Sequence, residues 1–178
     1  MSESAGGPLR LHVGGRQFLP GWTVFDIAPG PHVDVVGDCR DLSAFAADSV
    51  ADIYASHVLE HLGYLDDLPK ALAEFHRVLA TGGRLLVSVP DLDALCRLFL
   101  DPALDLQERF HVMRVMFGGQ TDPHDLHRVG LNEAFLRDYL AVAGFRAVRR
   151  VAAFGLCQDS STILIRGVPI SLNMVAEK

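Results

Sequence analysis

Apolar residues recur along this chain with two different periods, and both are clearest between Asp52 and Asp91, DIYASHVLEHLGYLDDLPKALAEFHRVLATGGRLLVSVPD. Asp52–Ser56 is a short run with β-branched and aromatic members that stops at the polar cluster His57 to His61, as a buried strand does. Leu68, Ala71, Leu72, Phe75, Val78 and Leu79 then return at three- and four-residue steps, so they share one helical face. Asp66 and Asp67 suit the cap of that helix, Pro69 its first turn, and Gly82-Gly83 the left-handed residue that closes it. Arg84 to Val89 is nearly continuous in apolar residues up to Pro90, which predicts a strand covered on both faces. Strand, helix and strand in this order make a right-handed parallel unit. Ligands of such sheets gather at the carboxyl ends of the strands, here Ser56-His57 and Pro90-Asp91.

Elsewhere the apolar runs are shorter. Leu9 to Val13, Thr23 to Ile27 and Val33 to Gly37 read as strands joined by brief links, RQFLPGW with a Pro20-Gly21 turn and then APGPH. A parallel connection normally takes about a dozen residues or more. If these strands are parallel, their crossovers are abbreviated and helices are missing from one sheet face, which the C-terminal half or a second subunit must cover. A homodimer is therefore expected as one solution. Beyond Asp91, Leu92 to Leu100 and Leu106 to Phe117 read as helices, the second with Phe110, Met113, Val115, Met116 and Phe117 on its repeat. GGQTDPHDLHRVG is a polar loop without periodicity. Asn132 to Ala143 is an amphipathic helix capped by Asn132, with Phe135, Leu136, Leu140 and Ala143 inward and Gly144 as its stop. Ala147 to Phe154 and Ser161 to Ile165 are the final strand candidates, the latter continuing through Val168 to Val175. Residues 1–8 are Ser- and Gly-rich and expected to be disordered, leaving a single domain over residues 9–178.

Composition narrows the partners. A chain of 178 residues, 49% hydrophobic, is long enough for one well-buried core. The formal charge of −6 disfavours a nucleic-acid binder working through a broad basic face. Acidic residues dominate the first sixty positions, where a cationic ligand would be at home. No apolar run has membrane-spanning length and no signal-peptide pattern is present, so a cytoplasmic protein is expected. Cys39, Cys96 and Cys157 lack pairwise metal spacing and read as reduced thiols.

Several residues carry candidate chemistry. Gly14-Gly15 after the first strand lets a ligand approach the backbone, but no third glycine follows and Pro20-Gly21 forbids a long helix there. NAD, FAD and ATP, which need a helix N-terminus for their phosphates, are disfavoured. Asp26 ends the second strand, where a carboxylate can accept two hydrogen bonds from ribose hydroxyls. His57 and His61 stand four apart, as in metal sites, but no third ligand has suitable spacing and no metal is expected. Glu60 reads as structural, with Arg77 as a candidate partner. His124 and His127, in DPHDLH, are candidates for substrate contact or a general base. Gln120, Arg109, His111 and Arg114 could line the same pocket, although an exposed helix face is the better account of the last three.

HVLEHL followed by HRVLATGGRLLVSVPD resembles the small class I S-adenosylmethionine-dependent methyltransferases of the type 11-like group, in which H-x-L-E-H precedes R-V-L-K-P-G-G. Ala80-Thr81 replace the usual Lys-Pro, and LHVGGRQ departs from that group's G-x-G. The resemblance implies a Rossmann-like, mostly parallel seven-stranded α/β sheet and S-adenosylmethionine as cofactor. It places Gly14, Gly15, Asp26 and Ile27 on the cofactor, Asp38 and Cys39 of GDCRDL on the adenine edge, and Leu42 on the adenine face. Ser56 and His57 fall beside the methionine moiety and sulfonium, with His57, His124 and His127 facing the acceptor. The implied activity is methyl transfer to a small molecule or sugar intermediate, with no nucleic-acid or membrane partner. The altered glycine turn and missing crossovers also suit an inactive member of the fold acting as a binding or assembly module. A nicotinamide-dependent oxidoreductase fails for want of a pyrophosphate loop.

Overall fold

The structure, a computed structural model, describes residues 8–178. Residues 1–7 of the stretch expected to be disordered lie outside the described residues. Among the described residues nine strands and four α-helices follow one another: β1 (Leu9–Val13), β2 (Thr23–Asp26), β3 (Val35–Val36), β4 (Val50–Ser56), α1 (Asp67–Val78), β5 (Leu79–Pro90), α2 (Leu92–Leu100), α3 (Leu106–Phe117), α4 (Glu133–Val142), β6 (Arg146–Arg150), β7 (Leu164–Ile165), β8 (Val168–Pro169) and β9 (Ser171–Glu177). Seven form one sheet in the order β3-β2-β1-β4-β5-β9-β6. β3 to β5 pair in parallel, β9 runs antiparallel to β5, and β6 runs antiparallel to β9. The expected α/β class and mostly parallel seven-stranded sheet are therefore present. So are the abbreviated crossovers, since no α-helix among the described residues precedes β4.

Period-two alternation divides this sheet into two unlike faces. Ile53, Ala55, Leu85, Val87, Leu172, Met174 and Ala176 point to one side and pack with Leu68, Leu72 and Phe75 of α1 and Leu136 and Leu140 of α4. Tyr54, Leu86 and Val175 point to the other, where no α-helix of the described residues joins their cluster. Leu19 and Trp22 from the link after β1, and Val151, Phe154, Leu156 and Cys157 from the segment after β6, cover it. The cover comes from the chain itself, so this face needs no second subunit. A third cluster joins α2 and α3 through Leu95, Leu98, Leu104 and Val112.

Several local expectations are corrected. α1 does not close at Gly82-Gly83, because Leu79 turns extended and enters the sheet at once. The glycines serve a register shift in β5, where Gly82 has φ +79° and a Cβ on Gly83 would press on the Ala80 and Ala51 carbonyls. Asp66 makes no side-chain cap, whereas Asp91 and Asn132 cap α2 and α4. In α3 only Val112 is fully buried; Phe110 and Phe117 are exposed, as is Phe135 of α4. The strand expected over Ala147 to Phe154 is Arg146–Arg150; the Val151 N–H still donates to the Asn173 carbonyl at 2.9 Å, and beyond it the chain turns to cover the face. The run from Ser161 breaks at Arg166-Gly167, both at positive φ, into the β7–β8 hairpin before β9. No helix of the described residues is long and apolar enough to cross a membrane.

Candidate functional site

The carboxyl ends of β1, β2, β3 and β4 open onto a cavity of about 370 Å³. It adjoins a second of about 700 Å³ that runs towards α3 and the loop over residues 118–128. Gly14, Arg16, His57, His61 and His124 line both.

Gly14 explains the glycine turn physically. It has φ +72°, and a Cβ there would stand 2.3 Å from Val58 Cγ2, so any side chain would collide with the start of the β4 turn. Gly15 is tied instead to the buried His12, whose ring would meet an added Cβ at 2.6 Å. Asp26 lines the first cavity and is almost fully buried. Its Oδ1 accepts the Ala28 N–H at 2.8 Å, an Asx turn that leaves Oδ2 facing the cavity without a protein donor. Ile27 and Cys39 line the same wall, and burial pushes the Cys39 thiol up to about 12, which makes it an inert apolar surface.

Asp38 also reaches the cavity, but it is already engaged. Arg40 Nε lies 3.0 Å from each of its oxygens, and the Arg40 N–H donates to Oδ1 at 2.9 Å. The guanidinium holds the Asp38 carboxyl below its ordinary value and reaches Asp67 Oδ1 at 2.7 Å as well. The acidic excess of the first sixty residues is spent the same way. Asp34 accepts the Val24 N–H, Asp52 pairs with Arg10 and Arg84, and Asp48 pairs with Lys178. With Arg16, Arg40 and Arg128 on its wall, the first cavity is charge-balanced, not the acidic pocket that composition suggests. Leu42 is fully buried in the core and does not line the cavity; its N–H donates to Glu74 and its carbonyl accepts from Arg77. Ser56 lines the second cavity, not the first.

His57 stands where the two cavities meet, in a left-handed conformation (φ +55°) that few non-glycine residues adopt. Its Nδ1 lies 3.1 Å from Glu60 Oε1 and its Nε2 2.9 Å from Ser171 Oγ, which ties the end of β4 to the start of β9. Glu60 does not meet Arg77, which pairs with Glu74 instead. It is 1% exposed, and neither carboxylate oxygen has a well-aligned hydrogen-bond donor. Burial pushes its pKa up, but His57 and His61 outweigh that and hold it below the ordinary value.

The loop histidines separate. His124 is exposed at the cavity rim, its N–H donating to Asp122. His127 turns inward, with Nε2 4.0 Å from Glu60 Oε1, and burial lowers its pKa against the pull of Glu60, favouring the neutral ring. The Arg128 and Val129 N–H groups donate to the Glu60 carbonyl at 2.7 and 3.3 Å, which is what brings the loop here. His111 and Arg114 of α3 line the second cavity. Sequence reasoning missed His12, Arg16, Arg40 and Arg128, for which only an acid two residues away from Arg40 gave any signal.

Comparison with known proteins bears on the fold that carries this site. A family model described as a methyltransferase domain matches residues 25–87. No curated protein matches the chain. Among solved structures, a SAM-dependent methyltransferase from Archaeoglobus fulgidus superposes with a TM-score of 0.60 at 17% identity, over 97% of this chain and 87% of that one. One from Thermotoga maritima gives 0.56 at 14% identity over 96% and 82%. The Burkholderia thailandensis 1,6-didemethyltoxoflavin-N1-methyltransferase, with 1,6-didemethyltoxoflavin and S-adenosylhomocysteine bound, gives 0.57 at 16% identity over 97% and 72%. The chain has the class I methyltransferase fold, and the resemblance read from its sequence is borne out.

Proposed function

We propose that this chain is an S-adenosylmethionine-dependent methyltransferase of the cytoplasm acting on a small-molecule acceptor. One observation carries the reading: a charge-balanced cavity of small-molecule size stands at the carboxyl ends of β1–β4, between a glycine that admits no side chain and a buried aspartate with one oxygen free. The residues fit the cofactor. Gly14 would let the amino-acid portion pass close to the backbone, Asp26 Oδ2 would accept from a ribose hydroxyl, and Ile27 and Cys39 would face the adenine. S-adenosylmethionine, when bound, supplies a methyl group on a sulfonium that is already a good leaving group. The chain's own task is then to position the acceptor in line. His57 and His124 border both cavities, while His127 faces the larger one, from which an acceptor would enter. The second cavity is open and carries both signs of charge, which suits a polar small molecule or sugar intermediate.

A second reading, a catalytically silent binding or assembly module, draws on Asp38, whose oxygens Arg40 already occupies, and on Leu42, which is packed away. Calorimetric titration with S-adenosylmethionine and S-adenosylhomocysteine decides between them. The methyltransferase reading expects micromolar binding that Asp26→Ala weakens at least tenfold. Absence of binding by either compound would leave the silent module.

A further inference from the structure

His57 and His61 have the spacing of metal ligands on a helix, yet the fold turns His57 towards Glu60 and Ser171. What it brings beside His61 is a residue 66 positions later in the chain. Glu60, His61 and His127 each place one ligand atom within 4.8 Å of the others. The His61 and His127 rings meet edge to face with centroids 4.9 Å apart.

The atoms of this group lack the partners that a merely structural cluster would have. Both Glu60 oxygens are buried and unbonded, and so is His127 Nδ1. An ionised carboxylate left so is costly, and proteins normally satisfy it by hydrogen bonds or a cation. His57 supplies one positive neighbour only when protonated. Neutral imidazoles and a carboxylate are, by contrast, the donor set that a divalent transition ion prefers.

We propose that Glu60, His61 and His127 bind a divalent transition-metal ion at the floor of the second cavity. The arrangement has the other marks of such a site. His61 Nδ1 lies 3.3 Å from the Leu126 carbonyl, so an N–H there leaves Nε2 with its lone pair free, the usual way a backbone carbonyl orients a ligating histidine. His57 Nδ1, 3.1 Å from Glu60 Oε1, is the polar side-chain atom nearest that carboxylate. Ligand atoms around a tetrahedral zinc stand roughly 3.3 Å apart, given bonds of about 2.0–2.1 Å, so small side-chain rotations close the set. Three protein ligands leave at least one coordination position open, and it faces the cavity lined by His124, Asp125 and Thr121. An oxygen of a bound molecule, hydroxyl or carboxylate, fits that position. Metal binding itself does not depend on the methyltransferase reading. That the oxygen belongs to the methyl acceptor does rest on it.

The test is calorimetric titration of the tag-free, chelator-stripped chain with Zn²⁺, and Co²⁺ titration followed by its visible absorption. One equivalent binding at micromolar or tighter affinity is expected, with cobalt bands of a low-coordinate nitrogen and oxygen site. His61→Ala and His127→Ala should each weaken binding at least tenfold, whereas His76→Ala, on the far face, should leave it unchanged. Glu60→Gln should weaken it as well; if that buried substitution unfolds the chain, half-buried His61 still carries the test, with circular dichroism as the control. No stoichiometric binding by the wild type, or binding that survives both histidine substitutions, overturns the proposal. Titration of the same samples with S-adenosylhomocysteine keeps the two readings apart. Zinc without nucleoside binding sinks only the methyltransferase reading, and nucleoside without zinc binding sinks only the metal site.

Discussion

The two faces of the sheet are built by different physics. On the side of α1 and α4, every inward strand residue is apolar and helices lie across them, so the layer is held by area removed from water. On the other side Leu86 and Val175 alternate with His12, Ser56, Ser88 and Asn173, all but Ser56 fully buried, and irregular backbone lies across them. Side-chain hydrogen bonds take the place of the missing helices. Asn173 Nδ2 donates to the Ala152 and Ser161 carbonyls at 3.0 and 2.9 Å, and Ser171 Oγ donates to Ser160 at 2.8 Å. The Tyr54 hydroxyl donates to Asp159, with the His12 ring stacked on Tyr54 at 5.0 Å. A loop cannot cover a sheet without partners for its own carbonyls, so the face that receives it has to be polar.

That contrast can be broken at either end. Phe75→Ala, which empties the centre of the helical layer, should cost about 3–5 kcal/mol in urea unfolding, enough to threaten the fold. Asn173→Ala should cost roughly 1–3 kcal/mol, since two carbonyls lose their donor, and should open the segment over residues 151–161 to limited proteolysis while leaving α1 protected. An equal rise in cleavage of both regions would mean the layers are not independent. Smallest is the effect of Arg40→Met. Arg40 keeps the Asp38 carboxyl below its unfolded-state value of 3.8, so its stabilisation is complete above that pH and is lost as pH falls through the lower folded value. Wild type and variant should therefore differ slightly at neutral pH and converge in acid; a gap that persists once the Asp38 carboxyl is protonated contradicts the pairing.

The helical layer was legible because its signal is periodic and local. α1 and α4 bury the apolar spacing read for them, α4 with its Asn132 cap, and β1, β2 and β4 follow their short apolar runs. The other face was legible only as a gap. Nothing in VAAFGLCQDSS marks it as a cover, because its fit depends on Asn173 and Tyr54, distant in the chain. Asp26 and Gly14 could be read as cavity residues from their places at strand ends. Arg40's hold on Asp38 and the inward turn of His127 could not, since each is set by contacts between elements that share no local pattern.

His57 has one more consequence. It is at once the hinge pin of the β4 turn, the neighbour of Glu60, and a hydrogen-bond partner of Ser171, which in turn clips the loop at Ser160. One of the fastenings between the cover segment and the cavity wall thus runs through this imidazole. Because such a segment, lying outside the regular ladders of helix and sheet, is the part of a fold that opens first, its amide exchange should be the fastest of the residues that shield the sheet. Whatever occupies the two cavities will be felt there, as slower exchange at positions it never touches.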